Sequence, residues 1–218
     1  MNHLNTFKRV LVTMGVLFLV AQILACKGST SIDSGTLDTG IYSNDFFGFS
    51  LTLPDDWHPL DQGGMNKVTQ AGGSALAGKN KKIKASIQAA KNGSYNLLMA
   101  YQHPLGTRVP FNPAIGAVAQ KVDKLPGIKS GRDYLLYIKR FMANSRVRMS
   151  FSPKIERVNI DGVDFDQLYA EANMGQTVVS QEYYASVQKG YVLSFILSYV
   201  DDDQYDVLQE SIESIMFY

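Results

Sequence analysis

Hydrophobic residues recur along this chain with two different periods. A short strand is expected at Ile41-Tyr42, and Asn44-Asp45 turns the chain. Phe47, Phe49, Leu51 and Leu53 then alternate with small or polar residues, the period of a half-buried strand. Pro54-Asp55-Asp56 ends that strand and Trp57 follows. Residues 61–80 are small and glycine-rich; a weak helix is expected near 65–76, kept short by Gly72-Gly73. Residues 82–90 alternate again, with Ile83, Ala85, Ile87 and Ala89 in phase, and Asn92-Gly93 is a hairpin signal leading to a return strand at 96–101. Helical spacing follows. Asn112 stands as an N-cap with Pro113 at the first helical position, and Ile115, Val118, Val122 and Leu125 form one stripe. Ser130 and Asp133 have the spacing of a capping box and open a second helix with Tyr134, Ile138 and Phe141 on its apolar face. The last third returns to period two in four strands, 155–160, 163–172, 177–188 and 191–199, joined by Asp161-Gly162, Met174-Gly175 and Lys189-Gly190. The face of the last strand made by Tyr191, Leu193, Phe195, Leu197 and Tyr199 is expected to be buried, the other half covered. A helix over about 202–215 closes the pattern, with Tyr205, Leu208, Ile212 and Ile215 in a stripe and acidic residues at its start, where the helix dipole favours them. The order predicts an α+β fold, an antiparallel β-sheet flanked by helices.

Upstream of this pattern, Lys8 and Arg9 precede an apolar run at 10–21. A helix of that length rises about 18 Å, short of a hydrocarbon core of about 30 Å, so it suits a signal peptide better than a membrane span. The run ends at Ile23-Leu24-Ala25-Cys26, which resembles the lipobox of bacterial lipoproteins. That resemblance implies cleavage between Ala25 and Cys26, diacylglycerol on the Cys26 sulfur with fatty acyl chains such as palmitate, and the membrane as a partner held through this lipid. Cys26 is the only cysteine in the chain. The organisation read from these signals is a lipoprotein signal peptide at 1–25, a lipidated Cys26 with a flexible tether to residue 40, and a globular domain at 41–218. The tether reading rests on the Ser, Thr, Gly and Asp content of residues 27–40. The implied location is the bacterial cell envelope, with the domain outside the cytoplasm. Lys27, in place of an aspartate, favours the outer membrane in a Gram-negative host.

The pattern Y-x-N-x-x-F-G-F-S-L-x-L-P-x-x-W, from Tyr42 and Asn44 through Phe47-Gly48-Phe49-Ser50 to Leu53-Pro54-Asp55-Asp56-Trp57, is similar to the opening of the PsbP-like superfamily, which includes DcrB-type lipoproteins. The resemblance extends by order of elements over the whole of 41–218. It implies a PsbP-like α/β/α sandwich and no catalytic set that maps onto these residues.

Composition narrows the chemistry. The 218 residues are 45% hydrophobic and 19% charged, which excludes a disordered chain. With 21 basic and 20 acidic residues there is no global attraction to nucleic acid. A lone cysteine excludes an internal disulfide. His58 and His103, the two histidines downstream of the leader, lack metal-ligand spacing, and Asp201-Asp202-Asp203 lacks the glycine and glutamate of a calcium loop. The glycines at 63–64 and 72–73 match no phosphate-binding loop, and no serine sits in a nucleophile elbow. Catalytic, metal and cofactor residues are therefore expected to be none. Trp57 is read as packing against the strand end, with ligand stacking as its alternative. Lys79, Lys81, Lys82, Lys84 and Lys91 form one basic run and Lys139, Arg140, Arg146 and Arg148 a second; each is read as a solvated face, with anionic lipid or a polyanion as the alternative occupant of the first. Tyr183, Tyr184, Tyr191 and Tyr199 are read as cross-strand packing or the lining of a groove. The expected function is that of a non-catalytic, membrane-anchored envelope protein that binds or assists an assembly. A carrier of a small ligand or metal ion, and an envelope hydrolase, are the alternatives.

Overall fold

The structure, a computed structural model, describes residues 32–218. The expected signal peptide, the expected lipidation site Cys26 and residues 27–31 of the expected tether lie outside the described residues. Among the described residues, twelve strands and four α-helices form three layers. The larger sheet contains eight strands. β4 (His58–Pro59), β5 (Ser94–Tyr101), β6 (Ala114–Lys121), β11 (Tyr191–Tyr199), β10 (Val178–Gln188), β9 (Val163–Asn173) and β7 (Met149–Phe151) lie side by side in that order, and β8 (Glu156–Ile160) also pairs with β9. The smaller sheet runs β1 (Thr36–Asp38), β2 (Ile41–Asn44), β3 (Phe49–Thr52) and β12 (Met216–Phe217). Every pairing is antiparallel. Helices α1 (Gln62–Ala77), α2 (Lys81–Ala90) and α3 (Gly131–Ala143) cover one face of the larger sheet, and the smaller sheet with α4 (Asp202–Glu213) covers the other. The fold class is the expected one: α+β, antiparallel, with helices packed on sheet.

Both faces of β11 are fully buried, where the sequence suggested one buried and one half covered. Val192 and Ile196 enter a core with Leu76, Tyr134, Leu135, Ile138 and Leu168 under the helices. Leu193, Phe195 and Leu197 enter a second core with Phe49, Leu51, Ile115, Phe165 and Leu208 under the smaller sheet. In that second core the Phe195 ring meets Phe49 edge-on at 5.2 Å and Phe165 at 5.6 Å.

Three expectations are corrected. Residues 81–90 are helical. Asn80 accepts from the Lys82 and Ile83 amides at 3.0 and 3.3 Å, and Ile83 and Ile87 are spaced by four, so the alternation with Ala85 and Ala89 was incidental to a helical face. Asn92-Gly93 consequently joins helix to strand rather than strand to strand. Residues 114–121 are a strand, not a helix. β6 lies between β5 and β11 with both faces covered, and its glycine and alanines let the neighbouring layers approach. Asn112 caps nothing; its side chain accepts from the His103 amide at 2.8 Å and donates to the His103 carbonyl at 2.7 Å. Finally, the described part of the presumed tether is folded. Ile32 is buried, Asn44 donates to the Asp33 carbonyl at 2.8 Å, Tyr42 donates to the Ser34 carbonyl at 3.0 Å, and β1 pairs with β2.

The capping box was read correctly. Ser130 Oγ accepts from the Asp133 amide at 3.1 Å, and the Asp133 carboxylate accepts from the Lys129 amide and the Ser130 hydroxyl. Those bonds, the Lys129 amide first, hold the Asp133 carboxyl below its usual range. At Gly131 an added Cβ would stand 2.0 Å from the Ala185 carbonyl oxygen, so α3 begins against β10 at a distance only glycine permits.

Candidate functional site

The charged residues divide by layer. Residues 32–60 and 200–218, which form most of the smaller sheet, the link to β4, β4 and α4, contain eleven acidic residues and no lysine or arginine, and one lysine from elsewhere, Lys189, donates to the Phe46 carbonyl at 2.8 Å. All eleven are exposed. On the opposite side, residues 62–91 and 131–148 contain eleven lysines and arginines and one acid, Asp133. The two basic runs of the sequence meet here. Arg146 donates its amide to the Leu76 carbonyl at the end of α1, and its side chain reaches to within 3.2 Å of where a Cβ on Gly78 would stand. That places it beside Lys79 and the start of α2. Lys79, Lys81, Lys82, Lys84, Arg140, Arg146 and Arg148 are exposed. Among the described residues the ion pairs are Lys124–Asp123, Lys154–Glu156 and Arg157 with Asp164 and Asp166, so neither face neutralises itself. Lys139 is partly committed elsewhere, donating to the Ser152 carbonyl at 2.9 Å and lying over the Phe151 ring. Like charges crowded on one side repel and lower the stability of the compact state, whereas a complementary surface is attracted to them.

A cleft of about 340 Å³ opens between the β1–β2 turn and the segment that leads from the end of β3 to β4. Leu37, Thr39, Thr52, Pro54, Asp55 and Trp57 line it. Two residues at its walls hold left-handed backbone, Thr39 at φ 46° and Asp56 at φ 60°, and a β-branched threonine adopts that conformation rarely. Trp57 is half-buried and packs against the second core, the expected role, while also lining the cleft.

A third feature was not found from the sequence. Glu182 is only 7% exposed and sits on the face of β10 that looks toward α4. Tyr184 and Gln167 donate to its Oε2, and Tyr199 to its Oε1 at 3.4 Å. No basic side chain pairs with it among the described residues. Burial, with the Glu182 charge second, pushes the Tyr184 and Tyr199 hydroxyls far above their usual range. The spacing of Glu182 and Tyr184 by two puts them on one face of β10, and register places Tyr199 opposite Ser180, diagonal to Glu182; only the spacing was readable from the sequence.

The other candidates stand apart. His58 is on the edge strand β4, while His103 lies in the turn after β5 with Asn112 around its backbone. No group of three metal-ligating side chains occurs among the described residues. Asp201 caps α4, accepting from the Gln204 amide at 2.9 Å, with Asp202 and Asp203 in its first turn. Tyr183 faces the helical core and Tyr184 the opposite one. Tyr191 packs edge-on against Phe46, Phe47 and Tyr95.

No protein-family model matches this sequence, and no curated protein matches it. Similar solved structures include cyanobacterial PsbP (CyanoP) from Synechocystis, 15% identical, with 89% of this chain and 99% of that one covered and a TM-score of 0.47. They also include LpqN of Mycobacterium tuberculosis, described as involved in cell envelope biogenesis, 15% identical, covering 77% of this chain and 82% of that one at a TM-score of 0.42.

Proposed function

We propose that this chain is a non-catalytic binding or accessory protein of the bacterial cell envelope, anchored in a membrane by lipid on Cys26. Among the described residues, the feature that supports the binding role best is the division of exposed charge between two opposite faces. Residue types able to do acid–base chemistry are spread over those faces or committed as caps and core hydrogen bonds, as Asp201, Asp133 and Glu182 are. Such a molecule presents surfaces to large partners. The anchor reading rests on the lipobox-like Ile23-Leu24-Ala25-Cys26. Intact mass of the natural product tests it: a chain beginning at Cys26 and carrying diacylglycerol is expected, and a free thiol on an uncleaved chain overturns it. Crosslinking in the native envelope, then capture of the protein, tests the binding role. A specific partner should be enriched from wild type and lost when the exposed acids of α4, Asp202, Asp203 and Asp206, are replaced by asparagine.

The Trp57 cleft favours a second reading, a carrier of a small ligand. An indole beside a carboxylate and two threonine hydroxyls suits a molecule with one apolar face and several hydroxyl groups. Native mass spectrometry of the full chain would then show a bound mass that Trp57→Ala removes.

A further inference from the structure

We infer that the basic layer formed by α1, α2 and the α3–β7 segment rests on the anionic phospholipid headgroups of the bilayer that anchors the protein, with the acidic layer turned to the aqueous side. This rests on the anchored reading above and adds the orientation and the lipid class to it. Charge complementarity is the first argument. Lys79, Lys81, Lys82 and Lys84 at the α1–α2 junction, and Arg140, Arg146 and Arg148 beside them, form an exposed surface without an ion-pair partner among the described residues. An anionic membrane attracts such a surface and repels the eleven acids on the opposite side, so both faces favour the same orientation. The effect is local, because salt screens exposed charges beyond about 10 Å.

The second argument is the length of chain between lipid and domain. Ile32 is buried in the core between the two sheets. A helix is about 10 Å across and packed layers lie about 10 Å apart, so a domain lying on its helices holds Ile32 about 20 Å above the membrane surface. The chain from Cys26 to Ile32 reaches about 20 Å when extended. The leash therefore just permits this pose. Because β1 and Ile32 are part of the fold, the leash is far shorter than the sequence suggested, and the lysines stay within reach of the headgroups.

The test uses the full-length protein purified from its membrane and reconstituted in vesicles of phosphatidylcholine with or without phosphatidylglycerol. A polarity-sensitive label is placed at Ser86→Cys on α2 or at Thr36→Cys on β1, each exposed. In phosphatidylglycerol vesicles at low salt, the Ser86 label should report a membrane environment and the Thr36 label water. High salt, or vesicles of phosphatidylcholine alone, should return the Ser86 label to water. The combined variant Lys79→Gln, Lys82→Gln, Lys84→Gln should weaken that contact about tenfold or more while leaving circular dichroism unchanged. A Ser86 label equally wet in both vesicles, or displacement of the contact by soluble polyphosphate without any dependence on lipid charge, overturns the inference. Intact mass on the same sample reports Cys26 lipidation separately. Chain without lipid that still sediments with phosphatidylglycerol vesicles would sink the anchor and keep the basic face. Lipidated chain with a wet Ser86 label would do the reverse.

Discussion

On one side of β11, Val192 and Ile196 lie under α1 and α3 among mostly aliphatic residues, with Tyr134, Tyr183, Phe141 and Met142. On the other, Leu193, Phe195 and Leu197 meet Phe49, Phe165 and Phe217 beneath the smaller sheet. Both sides exclude water to the same extent, yet the layers that close them carry opposite charge. The cover of the helical side is basic and that of the smaller-sheet side acidic. Burial therefore fixes the fold from within and leaves the sign of each outer surface free. An exposed residue contributes little to stability, so segregated charge on this scale points to what the surfaces meet.

The largest test of this comparison lies in the cores. Phe195→Ala removes a fully buried ring with two aromatic neighbours and should cost about 3–5 kcal/mol. Leu135→Ala, equally buried on the helical side, should cost about 2–5 kcal/mol. Urea unfolding measures both, and a clear inequality would mean that one cover collapses into its cavity. Next comes Tyr184→Phe, which deprives Glu182 of a donor and should cost about 1–3 kcal/mol on the acidic side alone. Ser130→Ala removes the α3 cap on the basic side, with an expected loss of about 1 kcal/mol. Smallest is the lysine triple variant described above, within about 0.5 kcal/mol of wild type. A large loss there would show that the basic cover is structural after all.

Alkaline titration sharpens the comparison differently. Burial raises the hydroxyl pKa of Tyr134 and Tyr183 under the helices and of Tyr42, Tyr184 and Tyr199 under the smaller sheet. Each folded-state pKa lies above the unfolded value near 10, so the folded state holds the proton more tightly. Their stability is complete below pH 10 and falls as pH rises above it, when the unfolded chain ionises first. Tyrosinate absorbance from these five buried residues should therefore rise together with unfolding followed by circular dichroism, while the exposed Tyr218 ionises without it. At the acid end Asp133 has the opposite sign: its contribution is present above the usual carboxylate range and disappears as pH falls through its lowered value.

Much of the fold was legible from local chemistry. The meander with its Asp-Gly and Lys-Gly turns, the stripe of α4 and the Ser130–Asp133 cap are all signals contained within a few residues. The failures share one cause. Residues 114–121 and 81–90 are rich in alanine and isoleucine, and neither period decides between helix and strand for such short runs. Tertiary context decided instead: two neighbouring strands claimed the first, and the Asn80 cap with a half-exposed position claimed the second. The charged faces were legible in part. Local lysine runs stood out, but the stronger sign was the absence of any Asp or Glu between Asp61 and Asp123. The Glu182 cluster required strand register, which alternation alone does not supply.

The smaller sheet has one further consequence. β3 pairs with β2 on one edge and with β12 on the other, and the Tyr218 amide donates to the Gly48 carbonyl at 2.9 Å. The second core is therefore closed only when residues 216–218 arrive, more than 160 positions after the strand they join. A chain that has not yet folded as far as residue 216 leaves this half of the molecule open along β3. Closure between positions so far apart in the chain is slow.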